Sequence, residues 1–192
     1  MALIILISTG LFILAVGGYF TMLYNGLIMV KNNIDKAWAN IDVLLKQRHD
    51  EIPKLIDVCK GYMDHERGTL EAVIRARQGV MGAQGPAAMG QAEGALQTAM
   101  RQLFALAENY PNLKAQSSFQ QLQERVSALE SQIADRREFY NDSVNTYNIR
   151  IQSMPDAFVA SMLHLIPREM YKVDASERED VKIDFMNGGR KG

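Results

Sequence analysis

Residues 119–151 read FQQLQERVSALESQIADRREFYNDSVNTYNIRI. Within this stretch Phe119, Leu122, Val126, Leu129, Ile133, Tyr140, Val144, Tyr147 and Ile151 follow one another at steps of three and four, and Arg136 takes the missing step. Such steps keep side chains on one stripe of a helix and average about 3.5 residues, the period of a coiled-coil seam. The stripe is far too long for a strand, and no other part of the chain sustains the period-two alternation of a half-buried strand. The fold class is therefore all-α, built from long helices that shield apolar stripes against one another.

Working back toward the N-terminus, the same rhythm reappears. Ile34, Trp38, Ile41, Leu45, Ile52, Leu55, Cys59, Tyr62, Leu70 and Val73 fall largely on one stripe, with Arg48 and Glu66 on two of its steps. Pro53 lies inside this pattern and removes one backbone donor, so a kink near Arg48–Pro53 is expected rather than a break. A first helix from Asn32 to Gln78 would be about 70 Å long. The glycine-rich stretch from Gly79 to Gly94, with Pro86 inside it, reads as the connection to a second helix. That helix carries Ala88, Ala92, Ala95, Ala99, Leu103 and Leu106 on one face and ends before Pro111. After Pro155 comes the apolar stretch Ala157–Ile166, too short to cross a bilayer; it could cap the bundle or lie at a membrane surface, and the cap is favoured because the stretch lacks the basic face of a surface-binding helix. The architecture expected is an elongated antiparallel bundle of three long helices plus a short fourth segment.

The first thirty residues are of another kind. All 21 basic and 22 acidic residues of the chain follow Val30. Leu3–Tyr24 reads LIILISTGLFILAVGGYFTMLY, about 33 Å as a helix against a hydrocarbon core of about 30 Å. A signal peptide would show a basic residue before the run and a small-residue cleavage site after it; neither is present. The stretch reads as a retained transmembrane anchor over residues 1–30, making the lipid bilayer the first expected partner. Lys31, Lys36, Lys46 and Arg48 follow it and no Lys or Arg precedes it. The positive-inside tendency then favours the cytoplasm for the bundle, residues 31–166, with the periplasmic or extracellular side as the alternative. Residues 167–192 are charged and expected to form a loose tail.

Chemistry is harder to find. The formal charge of −1 offers no general attraction to nucleic acid. The single cysteine, Cys59, excludes an intrachain disulfide and sits on the apolar stripe as a small core residue. His65-Glu66 is half of an HExxH zinc motif, but position 69 is Thr69. No GxxxxGK is present to cradle phosphate. No catalytic residue, metal site or cofactor is assigned, and binding or scaffolding is expected rather than catalysis. The polar seam positions carry the structural interest. A charge buried in a seam is costly unless paired, so Glu66, or Glu130 beside Leu129, is a candidate to pair with Arg48 or Arg136 and set helix register. The other reading is that these side chains snorkel to solvent.

Tyr24-Asn25, Trp38, Arg48, Ile52-Pro53-Lys54-Leu55-Ile56, Lys60-Gly61-Tyr62, His65-Glu66 and Ala76-Arg77 occur in order. Glu108-Asn109-Tyr110-Pro111-Asn112-Leu113-Lys114-Ala115, Phe119 and the heptad-spaced pairs Tyr140-Asn141 and Tyr147-Asn148 follow. Over roughly Leu3 to Pro155 this string resembles the bacterial LemA family. The resemblance implies one N-terminal span and an antiparallel helical bundle, and brings no catalytic residues with it. The function expected is a single-pass, membrane-tethered interaction or scaffold protein of the bacterial inner membrane. It would contact protein partners through its stripe or self-assemble into a homo-oligomer. Trp38, Arg48, Pro53, Glu66, Glu130, Arg136, Tyr140 and Tyr147 are its candidate structural or interaction residues. An accessory subunit of a membrane enzyme, with His49, Asp50, Glu51 and His65 to inspect, and a membrane-shaping protein are the alternatives.

Overall fold

The apolar N-terminal run and the first seam form one uninterrupted helix, α1, Ala2–Lys60, about 90 Å long at the usual rise. The structure, a computed structural model, describes residues 1–63 and 65–172. Up to Met22 every side chain of α1 is exposed, and Leu27 is the first to be buried completely. The most apolar 18-residue window of the helix has none of its residues buried. Among the described residues this surface is left largely open, so the N-terminal part of α1 is a candidate membrane anchor, joined without a hinge to the bundle.

Pro53 sits inside α1 and does not end it. A proline leaves the carbonyl four residues earlier without its helical donor, here that of His49. Arg77 Nε donates to the His49 carbonyl at 3.0 Å. The orphaned acceptor thus bolts a second helix to the first. The helix ends further on, at Gly61. The single long helix expected over 32–78 is therefore two: α1, and α2, Arg67–Gly82, which runs back along it.

Gly85, at φ +83°, provides the turn into α3, Pro86–Ala107. Most of the glycine-rich stretch is helical, and the connection shrinks to residues 83–85. The short α4, Pro111–Lys114, also starts on a proline, where the missing N–H would have had no helical partner. The long α5, Ser117–Gln152, returns antiparallel to α1, and α6, Asp156–Met162, closes the end nearest the anchor. Among the described residues there is no strand.

All nine apolar seam positions from Phe119 to Ile151 face inward, Leu122 only partly, while Arg136 is exposed. On α3 the buried face differs from the alanine stripe. Gly90, Glu93, Leu96, Ala99, Met100, Leu103 and Ala107 are buried, whereas Ala88 and Ala95 are exposed. Leucine and methionine gain more from burial than alanine, and they rotate the helix accordingly.

Two hydrophobic cores result. The distal one joins Ile52–Met63 to α2, α3, α4 and the start of α5. The proximal one joins Leu27–Leu45 to Ile133–Ile151, α6 and Tyr171. Residues 168–172 do not begin a loose tail: Tyr171 is only 2% exposed. The remainder of the expected tail, 173–192, lies outside the described residues.

Candidate functional site

Between the two cores lies a layer of charge. Arg48 of α1 and Glu93 of α3 are 3% exposed each and form a buried ion pair. Glu51, one turn further along α1, is 6% exposed and accepts from Arg125 Nη2 of α5 at 2.6 Å. Glu130 of α5 lies close by. Burial pushes its carboxyl above the ordinary value, with Glu93 adding to the rise and Arg48, Arg101 and Arg137 opposing it. The layer ties three helices together at one level, and a shift of any helix by one turn would leave a charge in an apolar core. His49, beside this layer, faces Arg77 Nη2 at 2.6 Å from Nε2. Burial, then the Arg77 charge, lowers its pKa, with Asp50 opposing.

The second feature is a clasp around an extended segment. After α6 the chain turns at Leu163 and His164, whose φ is +51°, and runs along α5 toward the distal end. Two Tyr-Asn pairs, seven residues apart on α5, hold it. Asn148 Nδ2 donates to the Arg168 carbonyl at 2.9 Å and its Oδ1 accepts from the Arg168 N–H at 2.8 Å. Asn141 repeats this with Tyr171, at 3.0 Å and 2.7 Å. Tyr147 and Tyr140 donate their hydroxyls to the carbonyls of Ile166 and Glu169. The registers match: seven helical residues rise about 10.5 Å, and three extended residues span about 10 Å. Each asparagine carboxamide, with a donor and an acceptor side by side, does for the strap what a neighbouring strand would do.

Trp38 completes the clasp from α1. Its ring lies 5.5 Å from that of Tyr140 and 6.2 Å from that of Tyr171, and the Arg137 guanidinium sits 5.5 Å above Tyr171. Gly90 of α3 closes the far end. A Cβ placed there would stand 1.8 Å from the Lys172 carbonyl oxygen, so only glycine lets the strap pass so near. Burial raises the pKa of both clasp tyrosines on α5.

Of the residues singled out from sequence, Trp38, Tyr140 and Tyr147 meet at the clasp, and Arg48 and Glu130 in the charged layer. Arg48 is paired, but with Glu93, which the sequence reading did not consider. Glu66 accepts from the Tyr110 hydroxyl at 3.2 Å in the distal turn, and Arg136 reaches solvent. Pro53 acts through the carbonyl it frees. His49 and His65 are not brought together: His49 contacts α2, while His65 is exposed in the turn after α1. Glu93, Gly90, Tyr171 and the role of the asparagines were missed. The heptad repeat of Tyr-Asn was the available signal, since a seam does not require asparagine beside it.

Relatives share this chain to different extents. The family model described as the LemA family matches residues 37–185, thirty residues beyond Pro155, the last residue of the stretch that carries the sequence resemblance. Protein LemA of Metamycoplasma hominis is 26% identical over 177 residues, 88% of this chain and 80% of that one. Magnetosome protein MamQ 1 of Paramagnetospirillum magneticum is 34% identical over 76 residues, 40% of this chain. Magnetosome protein MamQ of Magnetospirillum gryphiswaldense is 32% identical over 79 residues, 41% of this chain. The matched stretch spans 28% and 29% of the length of those two relatives. A match that takes in the charged layer, the clasp and most of the chain leaves one assignment: this protein belongs to the LemA family.

Proposed function

We propose that this protein is a membrane-tethered helical scaffold that binds partners rather than transforming substrates. One observation carries the reading. A helix with an uncovered apolar surface, Ala2 to Met22, continues without interruption through both cores of the bundle. Whatever binds the bundle is thereby held at a fixed distance from the bilayer. The basic residues just after the apolar run favour a bacterial inner membrane protein with a cytoplasmic bundle. The three charged residues buried most deeply, Arg48, Glu93 and Glu51, are each in an ion pair, which supports structure rather than turnover.

The test is to wash native membranes with carbonate, then cross-link and identify what is captured. Retention in the membrane with a reproducible protein partner is the expected result. Recovery of the uncleaved chain as a soluble, monodisperse protein without detergent would refute the tether. Cysteine labelling of intact cells at an exposed bundle position decides sidedness.

Self-assembly is a second reading, favoured by the clasp. Asn141 and Asn148 grip backbone rather than side chains, so the strap of a second copy would satisfy them equally. Co-purification of two differently tagged copies from one membrane is the expected result. Failure of the tagged pair to associate would remove this reading and leave the tether untouched.

A further inference from the structure

The anchor-proximal end of the bundle exposes more apolar surface than its role as a cap requires. Ten large hydrophobic side chains beyond Met29 are exposed among the described residues, and six of them lie between Ile149 and Met170. Four of the six lie on or beside α6: Met154 just before it, Phe158 and Met162 within it, and Ile166 just after the turn at His164, at 79%, 54%, 65% and 72% exposure. The opposite side of the same short segment is buried, with Val159 and Ala160 packed into the proximal core. One face of α6 therefore packs into the protein, while Phe158 and Met162 on the other are more than half exposed.

The place of this face along α1 identifies its occupant. Phe158 packs edge-on against Phe20, with ring centroids 5.9 Å apart. Phe20 belongs to the apolar run. Counting about 20 residues from Leu3 for a hydrocarbon core puts the lipid boundary near Met22. Phe158 thus touches the anchor at the level where hydrocarbon gives way to headgroups. Two of the charges at this level are turned toward each other rather than toward solvent. Arg150 Nε and Asp156 Oδ2 pair at 2.5 Å, and Arg150 Nη1 donates to the Gly26 carbonyl at 3.2 Å. A water-facing corner has no reason to neutralise its charges inward and present methionine and phenylalanine outward.

We propose that the corner between α5 and α6 is a second membrane contact, a foot formed by Met154, Phe158, Met162 and Ile166 and seated in the lipid interface beside the anchor. It rests on the reading of the apolar run as a span. Two points of attachment fix the tilt of the rod and the direction in which the clasp faces, which a single helix leaves free. The contact is apolar, so neutral lipid suffices.

The experiment uses the full chain in phosphatidylcholine vesicles, spin-labelled at Leu14→Cys in the run, at Met162→Cys or Ile166→Cys in the foot, or at Ser118→Cys at the distal end. Cys59 stays in place, since it is fully buried and burial raises its thiol to about 11. Collision with oxygen, which partitions into lipid, is compared with collision with a water-soluble nickel chelate. The expected result is that oxygen dominates at 14, 162 and 166, and nickel at 118. Nickel dominance at 162 and 166 with oxygen dominance at 14 overturns the foot and leaves the span standing. Nickel dominance at 14 removes the span and the foot with it. Label–label coupling at 162, with shielding from both agents, means a second copy covers the face and overturns lipid as its occupant.

Discussion

Removing the carboxamides of Asn141 and Asn148 should release the strap while leaving the bundle folded. Each asparagine makes two hydrogen bonds to one strap residue. A net contribution of about 0.5–1.5 kcal/mol per bond makes each pair worth about 1–3 kcal/mol, a fall of roughly 5- to 150-fold in the ratio of docked to undocked strap. Asn141 belongs at the upper end, because its bonds are partly buried, and Asn148 at the lower, because water replaces its exposed bonds. Alanine at either position does not disturb the seam, whose buried members nearest to them are Tyr140, Val144 and Tyr147. The assay is hydrogen exchange of the Arg168 and Tyr171 amides, both donors to asparagine Oδ1. Local opening sets their exchange rates independently of the global transition. Both amides should exchange 5- to 150-fold faster in Asn141→Ala, less so in Asn148→Ala, and fastest in the double variant, while core amides of α5 such as Val126 keep their rates. Unchanged protection at 168 and 171 in the double variant would show that the clasp does not hold the strap.

Three further outcomes follow from the same geometry. Arg48→Met strands Glu93 in the interior and should cost about 3–5 kcal/mol by denaturant unfolding, whereas Arg48→Met with Glu93→Leu should recover most of that loss; equal losses in the single and double variants would count against the pair. Gly90→Ala should displace the strap at Lys172, read as faster exchange of the Tyr171 amide with a thermal midpoint close to that of the parent; a parent-like exchange rate would contradict the close approach. Glu130 has its pKa raised above the usual 4.5, so its contribution is present below that value and is lost as pH rises through the folded value. Glu130→Gln should therefore raise the melting temperature at neutral pH and leave it unchanged in acid below the ordinary carboxyl range, and a drop at neutral pH would mean that its attraction to Arg48 outweighs burial.

Periodicity by itself determined a good deal of this protein. The stripe on α5 and the uncharged run before Lys31 are local properties of the chain, because whether a helix has an apolar face depends only on residues three and four apart. Leucine, valine and isoleucine at those steps have one favourable place to go, and they went there. Arg136 and Arg48 show where such reasoning stops. Both occupy seam steps, yet one is exposed and the other is 3% exposed against Glu93. The difference lies in which helix faces each step, a long-range matter that no spacing encodes. The alanine face of α3 was misjudged for the same reason: small residues fit a core or a surface, and the larger Leu96, Met100 and Leu103 decided the rotation. Pro53 did not break its helix because Arg77, 24 residues later, supplied a donor to the carbonyl it freed. The strap is the plainest case. Residues 166–172 are too polar and irregular to announce any structure, and they gain it only because two carboxamides one heptad apart on α5 match the rise of an extended chain. Local sequence determined that the chain is helical and where its long apolar run lies; only the tertiary fold decided where the first seam divides, which charges meet and where the chain's return segment is held, since these depend on distances between groups far apart along the backbone.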